Sequence, residues 1–142
     1  MANASLVFEH IHIISEDPQS SAAWYADMLG GEITETYELR GAPQIAVVFE
    51  GITVLIRGRR PGENPDRTNS IRSFGDFASH NEWGMDHFAF RVHGDLTEFC
   101  NSLKDKGATF SIAPDDSIGS TWGGSIAYLN APDGVSIELL QA

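Results

Sequence analysis

Three residues far apart in the sequence have side chains that commonly bind metal ions: His10, His87 and Glu138. Neutral imidazole nitrogens suit ions such as Fe2+, Mn2+, Zn2+, Ni2+ or Co2+, and one carboxylate lowers the net charge of the bound ion to about +1. Two histidines and one carboxylate leave the other positions of an octahedral ion open. A substrate could then chelate the ion through two neighbouring oxygens, and the ion could act as a Lewis acid or hold O2 beside a bound catecholate.

An internal repeat places the two histidines at matching positions. His10 opens one apolar, strand-like segment, and His87 opens another 77 positions later. An acidic residue then starts a predicted helix in each half, and a glycine suited to a left-handed cap ends it. These matching landmarks are Asp17 and Asp95 at the helix starts, and Gly30 and Gly107 at the helix ends. Because the spacing and the residues at the helix starts and ends repeat together, the two histidines are expected to occupy equivalent positions in the two halves.

The last predicted strands of the two halves also have similar sequence patterns. Residues 51–56 match residues 134–139 in the alternation of size and polarity. In this register Leu55 is the counterpart of Glu138, and leucine cannot coordinate a metal. The predicted metal set therefore contains one histidine from the first half, and one histidine and one glutamate from the second.

Apolar periodicity predicts the elements that must position these side chains. Helical spacing indicates amphipathic helices at residues 18–29 and 95–106. Alternating and β-rich segments indicate four strands in each half, at 6–14, 32–38, 44–50 and 52–57, and at 85–92, 108–112, 125–130 and 135–140. The order is strand, helix and three strands, twice over. A chain of 142 residues can bury one core, so the prediction is an α+β fold with two βαβββ modules in one domain, about 5–57 and 84–141.

Two segments between these elements differ in composition. Residues 58–83 are rich in glycine, proline and arginine and are predicted to be a linker or lid between the modules. Its arginines either solvate the loop or face an anionic substrate group. Residues 113–124 contain Trp122 among several glycines and form a second candidate flap.

Composition excludes several classes of function. A formal charge of −11 and a pI near 4.6 argue against a nucleic-acid partner. No apolar run approaches the roughly 20 residues that span a bilayer, and the start of the chain lacks a secretory signal, so no membrane association and a cytoplasmic location are expected. Cys100 is the only cysteine and lies in an apolar helical stripe, which predicts a packed core thiol. His80 and His93 are expected at the surface.

The motifs resemble those of the vicinal oxygen chelate superfamily, which includes glyoxalase I, extradiol dioxygenases, methylmalonyl-CoA epimerase, and fosfomycin and bleomycin resistance proteins. The resemblance rests on residues 9–13 (EHIHI), 23–31 (AWYADMLGG), 85–92 (MDHFAFRV) and 131–139 (APDGVSIEL). It implies that each module is a half-barrel of mixed β-sheet enclosing a metal site. The family pattern places the ligand ahead of Ile-x-Ile, which selects His10 over His12. His12 is then a pocket wall or an acid/base.

Leu55 differs from the pattern of some superfamily members, and this difference affects which reaction the resemblance implies. Glyoxalase I and the epimerases use a four-ligand design with a side-chain oxygen at that place, whereas the three-ligand site resembles extradiol dioxygenases and fosfomycin-resistance transferases. Tyr128 stands ten residues before Glu138, as in the extradiol signature. The upstream histidine of that signature is missing from residues 119–127. Tyr128 is therefore either a catalytic hydroxyl or a core strand residue.

Three functions remain open. The first is a metal enzyme that uses O2 on a catechol-like substrate, which the three-ligand site favours slightly. The second is an oxygen-independent lyase, isomerase or thiol transferase. The third is a metal-free drug-binding protein similar to bleomycin-resistance proteins, in which Trp83 and Trp122 stack on a cationic aromatic ligand. Each implies a small-molecule partner, and the pairing of related proteins implies a homodimer, with the site formed within one chain or by swapped modules.

Overall fold

The predicted order of strand, helix and three strands occurs twice along the chain. The computed structural model describes residues 4–66, 72–74, 77–79, 83–114 and 125–142, with the backbone alone at 72–74 and 77–79. Most of the predicted second flap lies outside these residues, as do Arg67, His80 and Trp122. Among the described residues, no helix is long and apolar enough to cross a membrane.

Unit 1, Met1–Pro65, contains the first module. Its elements are β1 (His10–Ile14), α1 (Pro18–Leu29), β2 (Glu32–Leu39), β3 (Ala42–Phe49) and β4 (Ile52–Arg57). The strands form a mixed sheet in the order β1-β4-β3-β2, in which only the β1/β4 pair is parallel. Asp17 accepts a hydrogen bond from the Ser20 amide at the start of α1, and Gly30 ends the helix with a φ of 76°.

Unit 2, Asp66–Ala142, contains the second module. Its elements are β5 (Arg72–Phe74), β6 (Phe77–Ser79), β7 (Phe88–Val92), α2 (Leu96–Asp105), β8 (Phe110–Ile112), β9 (Ile126–Asn130), a short turn (Pro132–Gly134) and β10 (Ser136–Gln141). The four-stranded sheet has the order β7-β10-β9-β8, again with one parallel pair, β7/β10. The predicted fold of two βαβββ modules is thus confirmed. The β5–β6 hairpin inside the predicted linker was not expected from the sequence.

The strand register agrees with the internal alignment of the two halves. In unit 1, Leu55 lies opposite His12, and in unit 2, Glu138 lies opposite Ala89. His12 and Ala89 are 77 positions apart, the same spacing that separates His10 from His87. Leu55 is therefore the structural counterpart of Glu138.

One face of each sheet forms the core and the other carries the candidate site. In unit 1, Ile13, Val47 and Val54 are buried on the side that α1 covers. In unit 2, α2 contributes Cys100, which is fully buried, as predicted. Because side chains alternate along a strand, His10, His12 and Leu55 project to the opposite face of the first sheet. In unit 1, strand alternation thus separates the packing residues from those available for chemistry.

Candidate functional site

His10 begins β1 and is held by the residue that precedes it. Its Nδ1 contacts the Glu9 carboxylate, and its side chain is 41% exposed. With Nδ1 against this carboxylate, Nε2 is the ring nitrogen that remains for a metal ion. A carboxylate on one ring nitrogen fixes the orientation of the ring and makes the other nitrogen a better ligand.

His87, immediately before β7, repeats this arrangement in unit 2. Its Nδ1 lies 2.9 Å from Oδ2 of Asp86, and its side chain is 27% exposed. Glu9 and Asp86 are 77 positions apart, like the histidines that follow them. Sequence reasoning missed both acids, although an acidic residue directly before each repeated histidine was the available signal. Metal-binding histidines almost always have a partner of this kind on the second nitrogen.

Glu138 and His87, two of the three predicted metal ligands, lie together in unit 2. Glu138 Oε2 lies 3.1 Å from His87 Nε2, and the Glu138 side chain is 14% exposed. The imidazole has a carboxylate on each ring nitrogen, Asp86 at Nδ1 and Glu138 at Nε2. In the tautomer that donates Nδ1–H to Asp86, the Nε2 lone pair faces the Glu138 oxygen, and a proton or a metal ion between them would satisfy both. Two adjacent ligands of an octahedral ion, each bonded at about 2.1 Å, would be about 3.0 Å apart. The 3.1 Å spacing is that of a hydrogen bond, and it also fits two adjacent ligands of one divalent metal ion.

The complete triad stays a prediction. Within the described part of the chain, no group of three or more histidine, cysteine, aspartate or glutamate side chains could hold one metal ion. His10 belongs to unit 1, and His87 and Glu138 belong to unit 2. The structure brings the second and third predicted ligands together and shows the first in its own acid–histidine pair.

Tyr128 lies opposite Glu138 on the neighbouring strand β9. Its ring is 5.1 Å from that of His87 in an edge-on contact, and it is buried in a small cluster with Ile112 and Ile126. Burial raises the pKa of its hydroxyl to about 12, with further contributions from Glu138 and Asp86. The hydroxyl is therefore protonated at neutral pH. Tyr128 is both a core residue and a neighbour of the candidate ligands.

His12 is two residues from His10, and their rings lie 6.1 Å apart. Burial lowers the pKa of its imidazole, and the positive charge of Arg57 lowers it further, followed by His10 and Arg60. His12 is therefore a neutral imidazole at neutral pH, as an acceptor of a proton must be. The predicted surface residue His93 is exposed.

A cavity of about 380 Å³ opens on the same face of the first sheet. Its lining includes the acidic residues Glu9 and Glu35, together with His10, Tyr37 and Leu55. Its volume lies within the range of small-molecule pockets, about 300–1,000 Å³. Unit 1 thus places a candidate ligand nitrogen beside a space large enough for a small organic molecule.

The sequence matches the Glyoxalase/Bleomycin resistance protein/Dioxygenase superfamily over residues 7–139. This match covers nearly the whole chain, so the protein belongs to that superfamily. No curated protein sequence matches the chain.

Solved structures support the same fold. A V278E mutant of glyoxalase I from Zea mays has a TM-score of 0.69 and 19% identity, covering 96% of this chain and 44% of that one. A glyoxylase/bleomycin resistance protein/dioxygenase domain from Frankia sp. EAN1pec has a TM-score of 0.68 and 19% identity over 100% and 98% of the two chains. TnmS3, an antibiotic-binding protein from Streptomyces sp. CB03234, has a TM-score of 0.67 and 17% identity over 99% and 98%. The superfamily thus includes both enzymes and binding proteins.

Proposed function

We propose that the protein is a divalent-metal-dependent enzyme that binds a small substrate through two vicinal oxygens. His10, His87 and Glu138 would hold one Fe2+, Mn2+, Zn2+, Ni2+ or Co2+ ion. The observation that carries the proposal is the acid–histidine pair that occurs once in each module, Glu9 with His10 and Asp86 with His87. A hydrogen-bonded carboxylate behind a histidine is the usual environment of a metal ligand, and this arrangement recurs at both repeat positions.

The residues around this site have separable roles in the proposal. Glu9 and Asp86 orient the imidazoles, and Glu138 supplies the negative charge that a divalent ion requires. When bound, the ion would polarise the substrate oxygens as a Lewis acid or support chemistry with O2. The protonated hydroxyl of Tyr128 can donate a hydrogen bond, and the neutral imidazole of His12 can accept a proton.

Metal content tests the proposal directly. Protein purified without chelator and loaded with one ion at a time should retain about one metal ion per chain, and His87→Ala or Glu138→Ala should retain almost none. His10→Ala should lose the metal in the same way, because each of these three variants removes one of the three ligands. His93→Ala, at an exposed histidine, is the matched control. Failure of the unmodified protein to bind any of these metals, or equal loss in the control, would overturn the proposal.

Extradiol-type chemistry with O2 is the finer form of this proposal. It is supported by the position of Leu55, which leaves a three-ligand set, and by Tyr128 opposite Glu138. Protein loaded anaerobically with Fe2+ should consume O2 when it is mixed with a broad panel of catechols. Turnover without O2, in the presence of Mn2+, Ni2+, Co2+ or Zn2+, would instead indicate a lyase, isomerase or thiol transferase.

The cavity in unit 1 favours a second candidate, a metal-free protein that binds a cationic drug-like molecule. Glu9 and Glu35 line this cavity, and carboxylates in a partly enclosed space attract cations. Independently of this cavity, Trp83 of unit 2 is fully exposed and could stack on an aromatic ligand. This candidate predicts that His87→Ala leaves the binding of such a ligand, measured by calorimetry, unchanged. Loss of binding in His87→Ala would count against it.

We further propose that the protein acts as a homodimer. Strand β2 lies at the end of the sheet order in unit 1, and all of its residues are exposed, including Ile33 and Leu39. An exposed sheet edge with apolar side chains is commonly covered by another chain. Light scattering at micromolar concentration should give the mass of two chains, and a monomeric mass would contradict the proposal.

A further inference from the structure

Two arginines at the end of β4 share a single carboxylate. Arg57 approaches Glu63 at 3.2 Å and 3.4 Å, and it also donates to the Gly58 carbonyl at 3.0 Å. Arg60 Nε lies 3.7 Å from the same carboxylate, which is too long for a hydrogen bond. The three side chains together carry one excess positive charge. Arg57, whose side chain is 9% exposed, is the arginine that Glu63 bonds, so the excess charge lies mainly on Arg60, whose side chain is 32% exposed.

Two buried donors in this region have no acceptor among the described residues. They are Nε of Arg60 and Nε2 of Gln44, and Gln44 is only 1% exposed. A buried donor without a partner costs stability, so each of these donors calls for an acceptor that the described residues do not provide. Both donors, and the excess charge, would be satisfied by an oxyanion.

The strand register connects these residues to the cavity in unit 1. Gln44 lies opposite Arg57 on one side and opposite Tyr37 on the other, and Tyr37 lines the cavity. Arg57 shares a sheet face with Leu55, another cavity residue, because the two are separated by two positions along β4. That separation corresponds to about 6.6 Å. A ligand in the cavity could therefore place a second group near the two arginines.

We propose that Gln44, Arg57 and Arg60 form an oxyanion subsite that binds a carboxylate or phosphate group of the small molecule in the adjacent cavity. Treating that molecule as the substrate rests on the proposed function, whereas the subsite itself requires no metal ion. Glu63 competes with a bound oxyanion for the two arginines. It holds Arg57 in place and leaves one positive charge unneutralised.

A purely structural role would account for the ion pair between Arg60 and Glu63, but not for the unpaired Nε2 of Gln44 or for the missing hydrogen bond of Arg60 Nε. Arg57 alone, bonded to the Gly58 carbonyl and Glu63, suffices to fasten residues 58–63 to the sheet. Arg60 contributes no hydrogen bond from its Nε to that fastening. Arg59 provides a matched contrast because it is adjacent, carries the same charge and is exposed.

Inorganic phosphate is the probe for the first experiment. The full-length chain is passed over an immobilised chelating resin, so that no metal ion or soluble chelator competes, and is titrated at constant ionic strength. Phosphate should shift the side-chain amide resonance of Gln44, and Arg60→Gln should weaken binding about tenfold or more, as expected for a charge-assisted hydrogen bond. Arg59→Gln should change the affinity less than about twofold, as expected for a screened surface charge. Equal weakening in both variants, or no binding by the unmodified protein, overturns the proposal.

Glu63→Gln provides an independent test. Removal of the competing carboxylate should strengthen phosphate binding, because two guanidinium groups then face the anion with no internal neutralising charge. A structural role alone predicts no gain, so weaker or unchanged binding in Glu63→Gln contradicts the subsite. Acetate titrated in parallel distinguishes a carboxylate preference from a phosphate preference. Since no metal ion is present, failure here leaves the metal analysis unaffected, and failure of metal binding leaves this result unaffected.

Discussion

The two sheets of the protein share one framework but differ in the chemistry that they carry. Both have the same strand order, one parallel pair and an acid–histidine pair at the same repeat position. They differ along one cross-strand row. That row contains His12, Leu55, Ala46 and Glu35 in the first sheet, and Ala89, Glu138, Tyr128 and Ile112 in the second. Two sheets with the same backbone arrangement can therefore differ in function, because one carries small side chains beside a cavity and the other carries candidate metal ligands.

The contrast along this row explains the different surfaces of the two sheets. In unit 1, Ala46 and Leu55 line the cavity, since an alanine occupies little of the space above the sheet. In unit 2, the bulky ring of Tyr128 occupies the position that matches Ala46 and packs beside His87. The first sheet provides room for a ligand, and the second provides the carboxylate and a histidine in contact with a buried tyrosine ring.

Tyr128→Ala should have the largest effect. It removes a buried ring in contact with Ile112, Ile126 and His87, so we expect a loss of about 3–5 kcal/mol in the free energy of unfolding, measured with urea. Tyr128→Phe keeps the ring and should cost about 1.5 kcal/mol or less. If the alanine variant were as stable as the phenylalanine variant, the packing role of Tyr128 would be wrong.

Gly31→Ala should have the next largest effect, because the first module is tightly packed at the end of α1. An added Cβ would lie 2.5 Å from Val47 and 2.6 Å from Phe49. Overpacking of this kind costs about 1–3 kcal/mol. The matching position in the second module carries Ala108, so Ala108→Gly should cost about 1 kcal/mol or less through chain entropy alone. Chemical denaturation of both variants would refute this contrast if Gly31→Ala proved neutral.

Asp86→Asn sharpens the comparison of the two acid–histidine pairs. An amide cannot match the carboxylate that accepts from His87, and loss of such a partner lowers metal affinity by about 10–100-fold. Glu9→Gln should act in the same direction through His10. Competition with a chromophoric chelator measures both affinities, and Glu98→Gln on the exposed side of α2 serves as the control. An unchanged affinity in both variants would remove the main support for the metal site.

Leu55→Glu should have the smallest effect. It places a carboxylate at the position that matches Glu138 and should tighten metal binding by about tenfold, since an additional anionic ligand becomes available. Leu55→Gln, of the same size but neutral, should change the affinity much less. The proposed equivalence of the two sheets would be weakened if both variants gave the same affinity in the chelator competition.

Local patterns in the sequence were sufficient to predict the modules, but they placed the first residues of some strands too early in the chain. The first strand was predicted at 6–14, yet it begins at His10, because β4 supplies partners only from Thr53 onwards. The strand predicted at 85–92 begins at Phe88, so His87 stands just before it. Strand ends depend on the length of the neighbouring strand, which periodicity does not contain.

By itself, the sequence determined the repeat, the two amphipathic helices, the alternation that puts His10 and Glu138 on accessible faces, and the absence of a carboxylate at Leu55. These follow from local periodicity and from spacing along the chain. Only the tertiary structure decided that Glu138 touches His87, that Tyr128 packs against that histidine, and that Arg57 and Arg60 share Glu63. Such contacts depend on which strands pair and where a loop folds back, and these are non-local properties of the folded chain.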